Sequence, residues 1–190
     1  MSFRVLVVPE DPTHNGYILK PLLEALLADA GKPQARVQVL SNPRLNGYDQ
    51  AVQAIRHDLA DSYRWFDLWV FVPDADRGTP AAMDALEAEL SGQGVTLFCC
   101  PAEPEVEIYA CAAYRAEIPG GWPAARAHPR MKEAVFAPLQ AAHGDARSAG
   151  GGRMQMIDES LRSLPALLQL CPELKRLRDR IAAFHTGGEG

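Results

Sequence analysis

The chain has 190 residues, 47% hydrophobic and 23% charged, with a net charge of −5. That length supports one packed domain with a small appendage. No apolar run reaches the roughly 18 residues that a spanning helix needs, and MSFRVLVVPED carries a carboxylate where a signal peptide would still be apolar. Neither secretion nor membrane insertion is expected, and the expected compartment is the cytoplasm.

Residues 3–8 (FRVLVV) form a β-branched run, and residues 17–30 carry apolar side chains at Ile18, Leu19, Leu22, Leu23, Leu26 and Leu27, a helical stripe. Residues 35–40 alternate as a short strand, and residues 47–60 repeat apolar positions at Ala51, Val52, Ile55 and Leu59. The most apolar strand is 67–72 (DLWVFV), with a helix over 80–90; 95–100 (VTLFCC) is a fourth strand, with a helix over 104–114. This βαβαβαβα pattern predicts an α/β fold, a Rossmann-like parallel sheet with helices on both faces. Residues 1–120 are its core. Residues 121–190 read as a mobile connection rich in Gly, Pro and Ala, with an intervening helix opened by Pro129, then a C-terminal helical pair over 161–184 packed on the same domain. The leucines of that pair could bury a face against a partner or a second copy of the chain.

In an open parallel sheet, ligands bind outside the carboxyl ends of the strands. The first strand ends in Pro9, Glu10 and Asp11, the third in Asp74 and Asp76, and the fourth is followed by Glu103, Glu105 and Glu107. Carboxylates gathered at one rim raise one another's pKa and cost stability, and a cation is the simplest compensation. If Asp74-Ala75-Asp76 is extended, both carboxylates point to one side and can face one ion or two. Hard oxygen ligands suit Mg²⁺ or Mn²⁺, and a pair of such ions about 3.5–4 Å apart serves phosphodiester cleavage. Gly78 is read as permitting a tight turn into the next helix. A structural reading competes: Asp74 or Asp76 as N-cap of the helix near Pro80, and Glu103 and Glu105 as first-turn charges of the following helix.

An acid after the first strand (VLVVPED), a DxD with a following glycine (VFVPDADRG) and a further Glu opening the next helix (PAEPEVEIYACA) resemble the TOPRIM domain of topoisomerases, primases and OLD-type and RloB-type nucleases. Within that resemblance, the closer likeness is to small standalone bacterial TOPRIM-like proteins linked with ABC-type or SMC-like ATPases in phage defence. Their P-x-x-E-x-W/Y motif reads Pro104 to Tyr109 here, and their HPK-like segment reads His128-Pro129-Arg130. The resemblance covers residues 3–135. It implies a Mg²⁺-dependent nuclease acting on DNA or RNA, with Glu10 as general base or ligand, Asp74 and Asp76 as ligands, and Glu107, with Glu105, completing the second position. It also implies an ATPase partner chain. Two departures stand out: Asp11 replaces the glycine that usually follows the first acid, and the lysine of some nuclease members has only Arg130, Lys132 or Arg153 to stand in for it.

Two other readings use the same residues. A degenerate site would make the chain a non-catalytic subunit whose acidic rim docks a partner. A receiver-like switch would phosphorylate Asp74 beside Glu10 and Asp11, but such domains need a lysine at the end of a later strand, and VTLFCCPAE has none. The net charge gives no broad attraction to nucleic acid, yet does not exclude it as substrate. Cys99, Cys100, Cys111 and Cys171 form no CxxC pair and read as reduced core residues. His14, His57, His128, His143 and His185 are scattered, so a histidine metal site is not expected. Trp65, Trp69 and Tyr63 read as core, SNPRLNGYD as a turn from which Arg44 and Asn46 could reach phosphate, and the Gly150–Arg153 run as no nucleotide loop.

Overall fold

The first apolar run forms β1 (Arg4–Pro9) and the most apolar one forms β3 (Leu68–Val72). They lie side by side and parallel, with Val5 opposite Leu68 and Val7 opposite Val70. Alternate residues of a strand face opposite sides of its sheet, so strands apolar at every position need cover on both faces. Val5, Val7, Leu68, Val70 and Val72 accordingly belong to one core, and Leu6, Val8, Trp69 and Phe71 to a second. β2 (Arg36–Val39) flanks β1 and β4 (Leu97–Cys99) flanks β3, giving the all-parallel order β2-β1-β3-β4. This computed structural model describes residues 2–184; Met1 and the terminal segment beginning at His185 lie outside the described residues.

α1 (Gly16–Asp29) buries its six-residue apolar stripe in the first core. The second core is covered by α2 (Tyr48–Gln53), a wide π-type stretch (Ala54–Asp58), α3 (Leu59–Tyr63) and α4 (Pro80–Gly92). The sequence expects one helix from 47 to 60, and the structure divides it into these three segments. After β4, α5 (Ile108–Cys111) starts later than the expected 104 and runs into a 3-10 segment (Ala112–Glu117). The cause is a competing hydrogen bond: the Ala75 amide donates to the carbonyls of both Ala102 and Pro104, at 3.0 and 3.1 Å. The Pro104 carbonyl is thereby turned to the β3 loop and opens no helix.

Residues 120–152, expected to be a connection around one helix, carry α6 (Gly121–Ala127), a π-type stretch (Lys132–Phe136) leading into α7 (Ala137–His143), and a 3-10 turn (Ala149–Gly152). Ala125, Met131, Val135, Phe136 and Leu139 are buried in the first core. The small residues that suggest a linker are there because the backbone packs closely. Gly150 has φ 76°, and a Cβ on it would lie 2.5 Å from the Tyr17 ring of α1.

α8 (Arg153–Leu161), α9 (Leu164–Leu170) and α10 (Pro172–Ala183) complete the first core. Leu167, Leu168, Leu174, Leu177 and Ile181 are buried within it, so these side chains are used inside the chain. Arg126 of α6 fastens the assembly: its guanidinium reaches both Glu173 oxygens at 2.9 and 3.0 Å and Glu103 at 2.8 Å. All four cysteines are free, Cys99 partly buried and the others fully. Trp69 is fully buried and Tyr63 packs against the second core, but Trp65 is 51% exposed, contrary to expectation. It precedes the strand, where the sheet offers no cover, and lies against Phe66 and the Arg4 guanidinium. Among the described residues, no helix is long and apolar enough to cross a membrane.

Candidate functional site: carboxylates at the strand-order reversal

From β1 the chain steps outward to β2, then returns past β1 to β3. The loops leaving β1 and β3 therefore diverge, opening a crevice at the carboxyl ends of these two strands. Glu10 and Asp74 stand there. The Asp74 amide donates to Glu10 Oε1 at 3.1 Å, which ties the two loops together. On its other side Asp74 bridges Ala102, and its Oδ1 accepts from the Val106 amide at 3.3 Å. The acids after the first, third and fourth strands thus reach one rim.

Local geometry differs from expectation at several points. Residues 74–77 form a turn, not an extended segment, with the Arg77 and Gly78 amides donating to the Asp74 carbonyl at 3.4 and 3.3 Å. Asp76 is therefore turned out to an exposed position, and the same-side argument for the DxD does not hold. Gly78 sits at ordinary φ; its role is space, since a Cβ would lie 3.1 Å from both Pro73 and Pro101. The helix-cap alternative also fails: Thr79 caps α4, its Oγ1 accepting from the Ala82 amide at 3.3 Å, and α5 has no acid in its first turn. Glu103 leaves the rim to pair with Arg126.

Electrostatics mark three of these acids. Burial first, then the Asp74 charge, pushes the Glu10 carboxyl up to about 7. Burial and Glu107 push Asp74 up to about 6, and burial, Asp74 and Glu107 push Glu105 up to about 7. Asp76 adds its charge to the repulsion on Glu10 and Asp74. Asp11, in the place of the expected glycine, belongs to its own loop. It accepts from the Thr13 amide at 2.8 Å and pairs with His14 at 3.1 Å; burial raises its carboxyl, but these contacts outweigh it and hold it below the ordinary value.

Glu107 is only 2% exposed and faces the Lys132 ammonium, 3.0 Å from its Oε1. That oxygen has no aligned hydrogen-bond donor among the described residues, so the pairing is one of charge. Of the three cations considered from sequence, Lys132 is thus the one placed on a site acid. Arg130 is exposed beside Glu133, and Arg153 is buried with its guanidinium on the Phe136 ring and the Gly150 carbonyl. Tyr109, the aromatic of the P-x-x-E-x-Y motif, is a fully buried core residue.

Sequence reading missed Tyr48. Burial, then the neighbouring Cys99 and Glu10, raise its phenol, and the adjacent Gly47 amide donates to the Glu10 carbonyl at 3.1 Å. The Asn-Gly turn before it was the available signal. Arg44 donates to Thr13 Oγ1 at 3.1 Å and, with Asp11, His14 and Asn46, lines a cavity of about 460 Å³ beside the rim.

The donor chemistry fits a hard divalent cation. Asp74 repels Glu10 on one side and Glu105 on the other, a cost that a cation would relieve. Among the described residues, no group of three or more His, Cys, Asp or Glu is close enough to hold a metal by itself. The fit is therefore to an open site in which one or two carboxylates share the ion with water and substrate, the usual arrangement for Mg²⁺. Comparison with known protein families, curated proteins and solved structures finds no match.

Proposed function

We propose that the chain is a TOPRIM-like, Mg²⁺- or Mn²⁺-dependent phosphodiesterase acting on DNA or RNA, the effector of an anti-phage system that works with an ABC- or SMC-like ATPase. The observation that carries this reading is Asp74 at the strand-order reversal, acting on Glu10 on one side and on Glu105 on the other, with all three carboxyls raised to about 6 to 7. Asp74 and Glu105 would hold the ion, with Asp76 reaching it from the rim. Glu10 takes a proton from the attacking water, a task for which a value near 7 is well matched. A bound divalent cation supplies stabilisation of charge on the phosphoryl and leaving oxygens. The test is incubation of the protein with plasmid, single-stranded DNA and tRNA in Mg²⁺ or Mn²⁺, alone and with a candidate ABC- or SMC-like ATPase. Cleavage that requires metal and disappears in Asp74→Ala supports the reading; no cleavage of any substrate removes it.

A second reading, a non-catalytic subunit whose rim docks the ATPase, draws on the absence of a closed metal cage among the described residues. It would be favoured by ATPase binding that Asp74→Ala weakens without any cleavage. A labile phosphoryl adduct on Asp74 after treatment with a small phosphodonor would favour the receiver-like switch instead.

Stability offers a test independent of turnover. The raised carboxyls hold protons in the folded state that the unfolded chain has already lost. In metal-free protein they therefore favour folding below the ordinary carboxylate range, and this is lost as pH rises through about 6 to 7. Tm in EDTA should thus fall between pH 5 and 7.5 more steeply in the native chain than in Asp74→Asn. Mg²⁺ at a hundredfold its Kd should restore about 2.7 kcal/mol at the upper pH. A thermal scan insensitive to Mg²⁺ at pH 7.5 would count against a cation site.

A further inference from the structure

The acidic cluster is compensated on one side and not on the other. On the Glu107 side, Lys132 opens a π-type stretch, a local widening that re-aims side chains relative to a regular helix. Its ammonium lies 3.0 Å from the buried Glu107 Oε1, and a buried carboxylate is tolerated only with such a partner. The same ammonium also acts on Asp74 and Glu105, offsetting part of their repulsion. Behind it stands Arg153, 8% exposed and anchored by the Gly150 carbonyl at 3.0 Å and the Phe136 ring. Arg153 repels Lys132, so the ammonium is pressed toward the acids while its side chain keeps 41% exposure at the crevice. On the Glu10 side the cation acting on the carboxyl is Arg77, and that guanidinium is engaged with Asp49 at 3.2 Å.

We infer that Lys132 is the site's resident second cation: it holds Glu107 and takes the charge position a second divalent ion would need, so the chain binds a single ion at Asp74 and Glu105. This rests on the metal-dependent reading above. The two-ion arrangement expected from the sequence, with Glu107 as a ligand, is then replaced by one ion and one ammonium facing the same phosphodiester. A lysine ammonium is a suitable point charge for a phosphate oxygen. Arg153 positions Lys132 and touches neither ion nor substrate.

Mn²⁺ alone is the probe, with bound ions per chain counted by electron paramagnetic resonance and by calorimetry at pH 7.5. The native chain should bind one Mn²⁺. Glu107→Gln, which keeps the shape of the side chain, should bind one Mn²⁺ with Kd unchanged within about threefold, because Glu107 is no ligand. Lys132→Met frees Glu107 and should bind two; where that variant does not fold, Glu107→Gln decides. Two ions in the native chain, loss of an ion in Glu107→Gln, or a single ion with unchanged Kd in folded Lys132→Met each overturns the inference while leaving a metal site standing. No Mn²⁺ bound by the native chain overturns the metal-dependent reading itself, and the inference with it.

Discussion

Glu10→Gln is expected to lower metal-dependent phosphodiester cleavage by about 10²–10⁴-fold, the usual contribution of a positioned general base. The substitution keeps an oxygen to accept the Asp74 amide, the contact that joins the β1 and β3 loops, so the crevice should survive. The pH profile separates loss of the base from loss of structure. Glu10 works only when ionised, and burial with the Asp74 charge holds its carboxyl at about 7, so kcat/KM of the native chain should rise through neutral pH. A nearby divalent charge favours the ionised form. Raising Mg²⁺ should therefore move this rising limb to lower pH, and Glu10→Gln should lack the limb altogether. A native profile flat from pH 6 to 8, or a Gln variant with the same limb, would assign the proton transfer elsewhere.

Arg126→Met should cost about 3–5 kcal/mol of folding stability, measured by urea denaturation with circular dichroism. Its side chain is mostly buried and holds Glu173, 3% exposed, through both oxygens. Removing the guanidinium leaves a carboxylate without compensation in the interior, which costs more than the pair contributes net. At roughly 2–4 °C per kcal/mol for a chain of this size, the loss is readily visible as a fall in Tm. The double variant Arg126→Met, Glu173→Leu should recover most of it, because neither charge is then left alone. A single-variant loss below about 1 kcal/mol would mean that water reaches Glu173. The same arginine holds Glu103, so the damage should spread to the loop that carries Glu105 and Glu107.

The sequence made the rim legible because β3 throughout and β1 after Arg4 are apolar: a strand buried on both faces ends abruptly, and the acids at 10 and 74 mark where. What it could not supply was adjacency. Glu10 meets Asp74 only because the chain returns from β2 past β1, so that β3 pairs with the other edge of β1, a choice made by packing over the whole sheet. The turn at 74–77 was hidden for a local reason: it depends on Asp74 bridging Ala102, a residue of another loop. The start of α5 was misplaced by the same contact, through the Ala75 amide. Lys132 was visible as one of three cations, but nothing in periodicity says that its turn widens to bring it onto Glu107. Trp65 was misread because hydrophobicity alone does not show that a residue lies just outside the sheet.

The run SAGGGR would be a natural choice for a peptide tag, a protease site or new chain termini, since exposed stretches of small residues usually tolerate such changes. Its contacts argue otherwise. Gly150 lies against Tyr17 of α1, Gly152 has φ 84° and a Cβ on it would collide with the Gly144 backbone, and Gln140 donates to the Gly151 carbonyl at 2.7 Å. The Gly152 amide in turn donates to Ser148 Oγ at 2.9 Å. Splitting the chain there would loosen α1 and release Arg153, the group that presses Lys132 toward the acids. The segment of lowest complexity is in this protein a poor place to engineer, and a library of insertions should be depleted at 150–152.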